Sequence, residues 1–200
     1  MRSKTILIAA LLAALAGPAF AQAPQGTPTN IRGKVAKLDG QNLAIKTREG
    51  PTVAVALAPN SPVRALVRKK LSDIKSGDYI ASTSMPGKDG KLHAIEVHYL
   101  PSAAPELQIP YDLKQGSVMT NAHVTGIATA KTGSTITMTY KGNTTDIVVD
   151  PKTIIVTSAD AAMSDVKPGK AVFVRALKAA DGTLSANNVT IEKNGVKPPM

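Results

Sequence analysis

The chain contains no cysteine and no tryptophan, and only two phenylalanines and four tyrosines in 200 residues. Without cysteine there are no disulfide staples, thiolate metal ligands or cysteine nucleophiles, and no thiol for a lipobox-type lipid anchor. Any folded unit must be held by its own apolar core. The scarcity of aromatic rings removes the stacking platforms on which single-strand nucleic-acid binders lay bases. Phosphate loops ending in Lys-Ser or Lys-Thr and dinucleotide fingerprints are absent as well. Gly116-Ser117 lacks the second flanking glycine of a nucleophile elbow, and Asp73, Asp89, Asp165 and Asp181 recur in turn motifs. The expectation is a protein that is not an enzyme, with no catalytic residues to name and no cofactor implied.

Long apolar runs are scarce too. The one at the start, Ile6 to Ala16, follows Arg2 and Lys4 and precedes Gly17-Pro18 and Ala19-Phe20-Ala21. This run is shorter than the roughly 20 residues of a spanning helix, and small residues flank its end. The pattern is that of a cleaved secretory signal over residues 1–21, leaving Gln22 first in the mature chain. Charges, proline or glycine break every later apolar run, so no transmembrane span is expected, and the compartment that fits is a bacterial periplasm.

Removing Arg2 and Lys4 from the 24 basic residues leaves 22 against 14 acidic ones. The densest basic cluster is Arg64 with Arg68, Lys69 and Lys70. It is a candidate patch for anionic polysaccharide or lipid, whereas export argues against a nucleic-acid partner.

What the chain does have is a repeat. Ile31-Arg32-Gly33-Lys34-Val35 is echoed by Val124-Thr125-Gly126-Ile127-Ala128. Leu71-Ser72-Asp73-Ile74-Lys75-Ser76-Gly77-Asp78 is echoed by Met163-Ser164-Asp165-Val166-Lys167-Pro168-Gly169-Lys170, and Asp89-Gly90-Lys91-Leu92-His93-Ala94 by Asp181-Gly182-Thr183-Leu184-Ser185-Ala186. The offset is about 92 or 93 residues throughout. Leu43, Ile45 and Thr47, and later Ile136, Met138 and Tyr140, alternate with polar neighbours as strand residues do. Asp39-Gly40, Glu49-Gly50, Asp89-Gly90 and Asp181-Gly182 supply hairpin turns.

Each copy reads as about five strands. Apolar spacing after Pro62 (Val63, Leu66, Val67, Leu71) predicts a short helix between the third and fourth, and Ser158 to Met163 predicts its counterpart. The expected fold is all-β: two tandem small OB-like β-barrels, each with a short helix, after the signal peptide. A generic small barrel or split sandwich is the alternative. Residues 31–98 form the first repeat and 123–194 the second. A connector spans 99–122, and segments 22–30 and 195–200 are expected to be disordered.

The G-x-V, L-x-D-[IL]-x-x-G-[DK] and D-G-x-L-x-A pattern in each copy resembles exported bacterial OB-like repeat families of unknown function. The connector Tyr111-Asp112-Leu113, Gly116-Ser117 and Met119-Thr120-Asn121-Ala122, with the closing Pro198-Pro199-Met200, resembles a proteobacterial two-repeat subgroup that usually has tryptophan where this chain has Tyr111. The resemblance implies a fold and no chemistry. Some members carry a metal transporter permease label, which a chain without spanning segments does not fit.

Three sets of side chains stand out as candidate sites. Tyr111, Met119 and Asn121 of the connector have no counterpart in the repeat, so they are available for ligand contact or for packing between the barrels. Glu96 and His98 share a strand face, His93 points to the other, and His123 follows the connector. Together Glu96, His98 and His123 offer a carboxylate and two imidazoles suited to a transition metal. Copy two has Asn188 and Thr190 in place of Glu96 and His98. The third set is the basic cluster. The functional expectation is a binding or scaffolding protein for an unidentified envelope partner or ligand, with a metal-binding accessory and a polyanion binder as alternatives.

Overall fold

The computed structural model describes residues 26–130 and 133–198; the expected signal peptide and cleavage point lie outside them. Where apolar and polar residues alternate, the chain is strand. In the first half these are β1 (Thr27–Asp39), β2 (Asn42–Thr47), β3 (Thr52–Leu57), β4 (Val63–Arg68), β5 (Tyr79–Pro86) and β6 (Leu92–Tyr99). The connector contributes β7 (Leu107–Tyr111). The second half holds β8 (Ser117–Ala130), β9 (Gly133–Tyr140), β10 (Asn143–Val149), β11 (Ile154–Ala161), β12 (Ala171–Lys178), β13 (Leu184–Ala186) and β14 (Val189–Ile191). Among the described residues no helix is long and apolar enough to cross a membrane.

The two expected helices are not formed. Val63–Arg68 and Ile154–Ala161 are strands, and the only helical turns nearby are Leu71–Asp73 and Met163–Asp165, each three residues long. Helix-like spacing misled because β4 lies between two other strands and buries Val63, Ala65 and Leu66 without strict alternation.

Strand pairing closes a five-stranded barrel in the order β1, β2, β3, β13, β12 and back to β1. A second ring of pairings runs β8, β9, β10, β6, β5 and back to β8. Neither ring belongs to one half. The first takes three strands from the N-terminal half and its closing strands from the C-terminal half, and the second does the reverse. The cores mix accordingly: Ile45 and Val55 pack with Val172, Val174 and Val189 in one, and Ile136 and Ile147 with Ile80 and Val97 in the other. Where tandem barrels were expected, one per copy, the halves exchange their closing strands.

Backbone hydrogen bonds show that the exchange is two-fold. The Gly77 amide donates to the Val124 carbonyl at 2.8 Å and the Val124 amide to the Asp78 carbonyl at 2.8 Å. At the mirrored place Gly169 donates to Val35 at 2.8 Å and Val35 to Lys170 at 2.9 Å. Gly77 and Gly169 adopt φ of 92° and 84°, so each turn requires the residue that tolerates that backbone. Val35 therefore corresponds to Val124. In β1 and β8 the repeat runs four positions out of step with the alignment of Ile31 to Val124 read from sequence, and the bulges after Val35 and Val124 coincide. Between the rings, β4 and β11 pair antiparallel with Leu66 opposite Ser158. These two are equivalent at the 92-residue offset of this part of the repeat, so a pseudo-two-fold axis passes between them.

Among the described glycines the closest backbone approach is at Gly33. A Cβ on Gly33 would lie 2.2 Å from the Lys46 carbonyl oxygen, whereas on Gly126 its nearest contact would be the Thr137 Cβ at 3.4 Å. Gly33→Ala should cost about 3 kcal/mol in urea denaturation and Gly126→Ala less than about 1. Equal losses would contradict the packing described.

Disorder was expected at both ends, yet Thr27–Asn30 belong to β1, and Val196 is buried and bridges to Lys193. The connector lies across both rings. β7 pairs with β8 in one, and Asp112 and Leu113 accept hydrogen bonds from Asn30, Arg32 and Arg48 in the other.

Candidate functional site

β6 carries an irregularity that sets where its side chains point. Thr83 of β5 pairs with Glu96 and Ser84 with Ala94, so Ile95 is an extra residue, a β-bulge. Ala94 and Val97 face the ring interior on either side of it. Glu96 and His98 are consequently turned outward together, toward the space between the rings. The bulge returns His93 to the outer side as well, contrary to the unbroken alternation expected. His93 lies against Asp89, at 3.1 Å, and Asp150, at 3.7 Å.

On β8 the same parity operates. Thr120 and Ala122 are fully buried, so Met119 and Asn121 point the other way, beneath β7. A cavity of about 320 Å³ lies there. Its apolar walls are Leu66, Leu100, Leu107, Ile109, Met119 and Phe173, and its polar members include Thr83, Glu96, His98, Tyr111, Asn121 and Thr190, with Arg175 also lining it. Both halves of the chain and the connector contribute. Tyr111, Met119 and Asn121 thus share one cavity with Glu96 and His98, although sequence placed them in separate hypotheses.

The cavity's electrostatics begin with Arg32. Its side chain is 2% exposed and grips Asp112 with two hydrogen bonds of 2.9 and 3.0 Å. The guanidinium carbon lies 5.4 Å from the Tyr111 ring centre and 5.1 Å from that of Phe173. Burial alone would raise the Asp112 carboxyl, but the hydrogen bonds from Arg32 and Asn30 outweigh it and hold Asp112 below the usual carboxylate range. Burial pushes the Tyr111 hydroxyl up.

Glu96 is 7% exposed, and burial raises its carboxyl to about 7, against a smaller opposing attraction from Arg32. Its neighbour His98 has Nδ1 3.8 Å from the Glu96 carboxylate and Nε2 3.0 Å from the Ser158 hydroxyl. Burial depresses the His98 imidazole, which favours its neutral form. Asn121 donates from Nδ2 to the Pro105 carbonyl at 3.1 Å, which fixes the orientation of the amide. Its Oδ1, though buried, finds no hydrogen-bond partner among the described residues. Buried acceptors are seldom left unpaired, so this one marks a place for a donor.

The metal set does not assemble. His123 stacks on Tyr79 with ring centres 4.6 Å apart, and its Nε2 lies 3.7 Å from Glu106. Among the described residues no three His, Asp or Glu side chains are grouped to hold a metal ion. The basic cluster is likewise dispersed among partners. Arg64 pairs across strands with Asp160, Lys69 sits 5.9 Å from the Tyr99 ring centre, and Arg68 borders a second cavity with Ile154 and Val196. The Lys70 backbone amide donates to Asp73.

Arg32, Asp112 and Phe173 were not singled out from sequence. Arg32 and Asp112 are 80 residues apart, and no local pattern announces their pairing. Arg32 stands among other polar and charged residues, Asn30 and Lys34, so its own surroundings in the sequence do not mark it. By the correspondence of Val35 with Val124, Arg32 corresponds to Asn121, so the same position in each half supplies a buried polar group beside the cavity.

Comparison with protein-family models, with curated proteins and with solved structures finds no match.

Proposed function

We propose that the protein is a non-enzymatic binding protein of the bacterial envelope, built from two OB-like barrels that share their strands, with the cavity between them as its ligand site. The ring orders support the OB-like reading. In each ring the first three strands of one half are followed by two closing strands of the other, β13 then β12 in the first ring and β6 then β5 in the second, and the third strand pairs parallel with the first of these two. The sequence pattern shared with exported two-repeat proteins supports the same reading, and the signal-like N-terminus supports the periplasm.

The observation that carries the binding role is the unpartnered Asn121 Oδ1 in a mostly apolar cavity of ligand-binding size. Such a cavity takes the apolar body of a small molecule and orients it through a few polar groups. The test is methyl NMR on protein labelled at methionine, screened with small amphiphilic compounds. Binders should shift the Met119 methyl, and Leu107→Trp, which fills the cavity and keeps that reporter, should abolish the shift. Shifts confined to the exposed Met163 would overturn the proposal.

A further inference from the structure

From the groups around Glu96 we infer that the cavity's ligand is a small organic cation, a primary amine on an apolar body. This rests on the cavity being the ligand site and names the chemistry it selects. The Glu96 carboxylate lies in the wall, nearly buried, and Asn121 presents a carbonyl oxygen whose orientation is fixed. Both are acceptors for a donor that the protein does not supply.

Among the described residues no Lys or Arg forms an ion pair with Glu96, whose closest basic neighbour is His98 at 3.8 Å. Arg32 is the nearest buried cation, but both of its terminal nitrogens are bound to Asp112, its Nε finds no hydrogen-bond partner among the described residues, and its pull on Glu96 is outweighed by burial. His98 is held neutral by burial, and its Nε2 is engaged with Ser158. Arg175 at this cavity, and Arg68 and Lys197 at the neighbouring one that Glu96 also lines, are solvent-exposed, so water screens their charges. A primary ammonium has three donors and no acceptor. It would pair with Glu96 and place its alkyl chain against Leu66, Leu107, Ile109 and Met119, on the side of the cavity where Asn121 lies. An alcohol has one donor and no charge, and a carboxylate would bring a second anion to Glu96.

The experiment compares n-hexylamine, n-hexanol and n-hexanoate at pH 8, reading dissociation constants from the Met119 methyl shift. The amine should bind about tenfold more tightly than the alcohol, as a charge-assisted hydrogen bond exceeds a neutral one. Hexanoate should be weakest. Glu96→Gln should bring the amine to the level of the alcohol while the alcohol is unchanged. Hexanol or hexanoate binding as tightly as the amine would overturn the inference and leave the cavity as a ligand site. If none of the three shifts Met119, both readings fall.

Discussion

A chain cut between Ser102 and Ala103, in the exposed turn that begins the connector, should remain one folded particle. Its two fragments should co-elute on size exclusion and keep the β-sheet signal of the intact protein. Separated in urea and returned to buffer singly, each fragment should stay unfolded, and mixing should restore the fold. The reason is the strand exchange. Residues 26–102 contain β1 to β3 without the strands that close their ring, and β5 and β6 without the ring they close. Each would leave half a core in water. At about 25 cal/mol per Å² of apolar surface, residues such as Ile45, Val55, Ile80 and Val97 would each lose about 2 kcal/mol of burial. Either fragment folding alone, or the pair drifting apart after cleavage, would show that each half closes its own barrel.

Replacing Glu96 with glutamine should flatten part of the pH dependence of stability. A carboxyl raised from 4.5 to about 7 binds its proton more readily in the folded state than in the unfolded one. Its contribution is therefore complete below about pH 4.5 and is lost as pH rises through 7. The full loss is about 3 kcal/mol, and glutamine, which cannot ionise, does not suffer it. His98 works in the opposite sense: its depressed folded pKa gives stability that is present above the ordinary histidine value and falls away as pH drops through the folded one. Subtracting wild type from variant at each pH removes the histidine contribution. Urea denaturation at pH 5, 6, 7 and 8 should give a difference that grows toward pH 8 in favour of Glu96→Gln. A constant difference would mean that the carboxyl is solvated and does not lie in the cavity wall as described.

Turns and half-buried strands were legible because they are local. Asp89-Gly90 and Asp181-Gly182 read as turns in sequence, and both glycines take positive φ. Leu43 and Ile45, alternating with polar neighbours, are fully buried. β4 was misread because Val63 and Leu66, three residues apart, are buried on opposite faces in separate clusters, so its apolar residues keep no period of two. The exchange of strands was invisible for a different reason. The two copies carry equivalent motifs at the turns and first strands, so Gly77 docking on Val124 and Gly169 docking on Val35 satisfy the same local preferences as docking within one copy.

The site was legible in pieces. Tyr111, Met119 and Asn121 stood out because the repeat did not require them, and Glu96 with His98 because they share a face. Their convergence depends on the bulge at Ile95 and on the pseudo-two-fold axis, which bring β6 and β8 to the same cavity across the chain. The bulge has no sequence signal of its own, and the repeat announces equivalent halves without saying where the axis between them passes. His123, attractive as a third ligand by residue type, is carried instead onto the Tyr79 ring.

The central claim is that the cavity between the rings holds a small molecule, and native mass spectrometry tests it directly. Wild-type protein and Met119→Trp would be isolated from cells in volatile buffer without denaturation. The account expects a small-molecule adduct on the wild type that is absent from Met119→Trp. The same adduct on both proteins, or a bare chain in both, would contradict it.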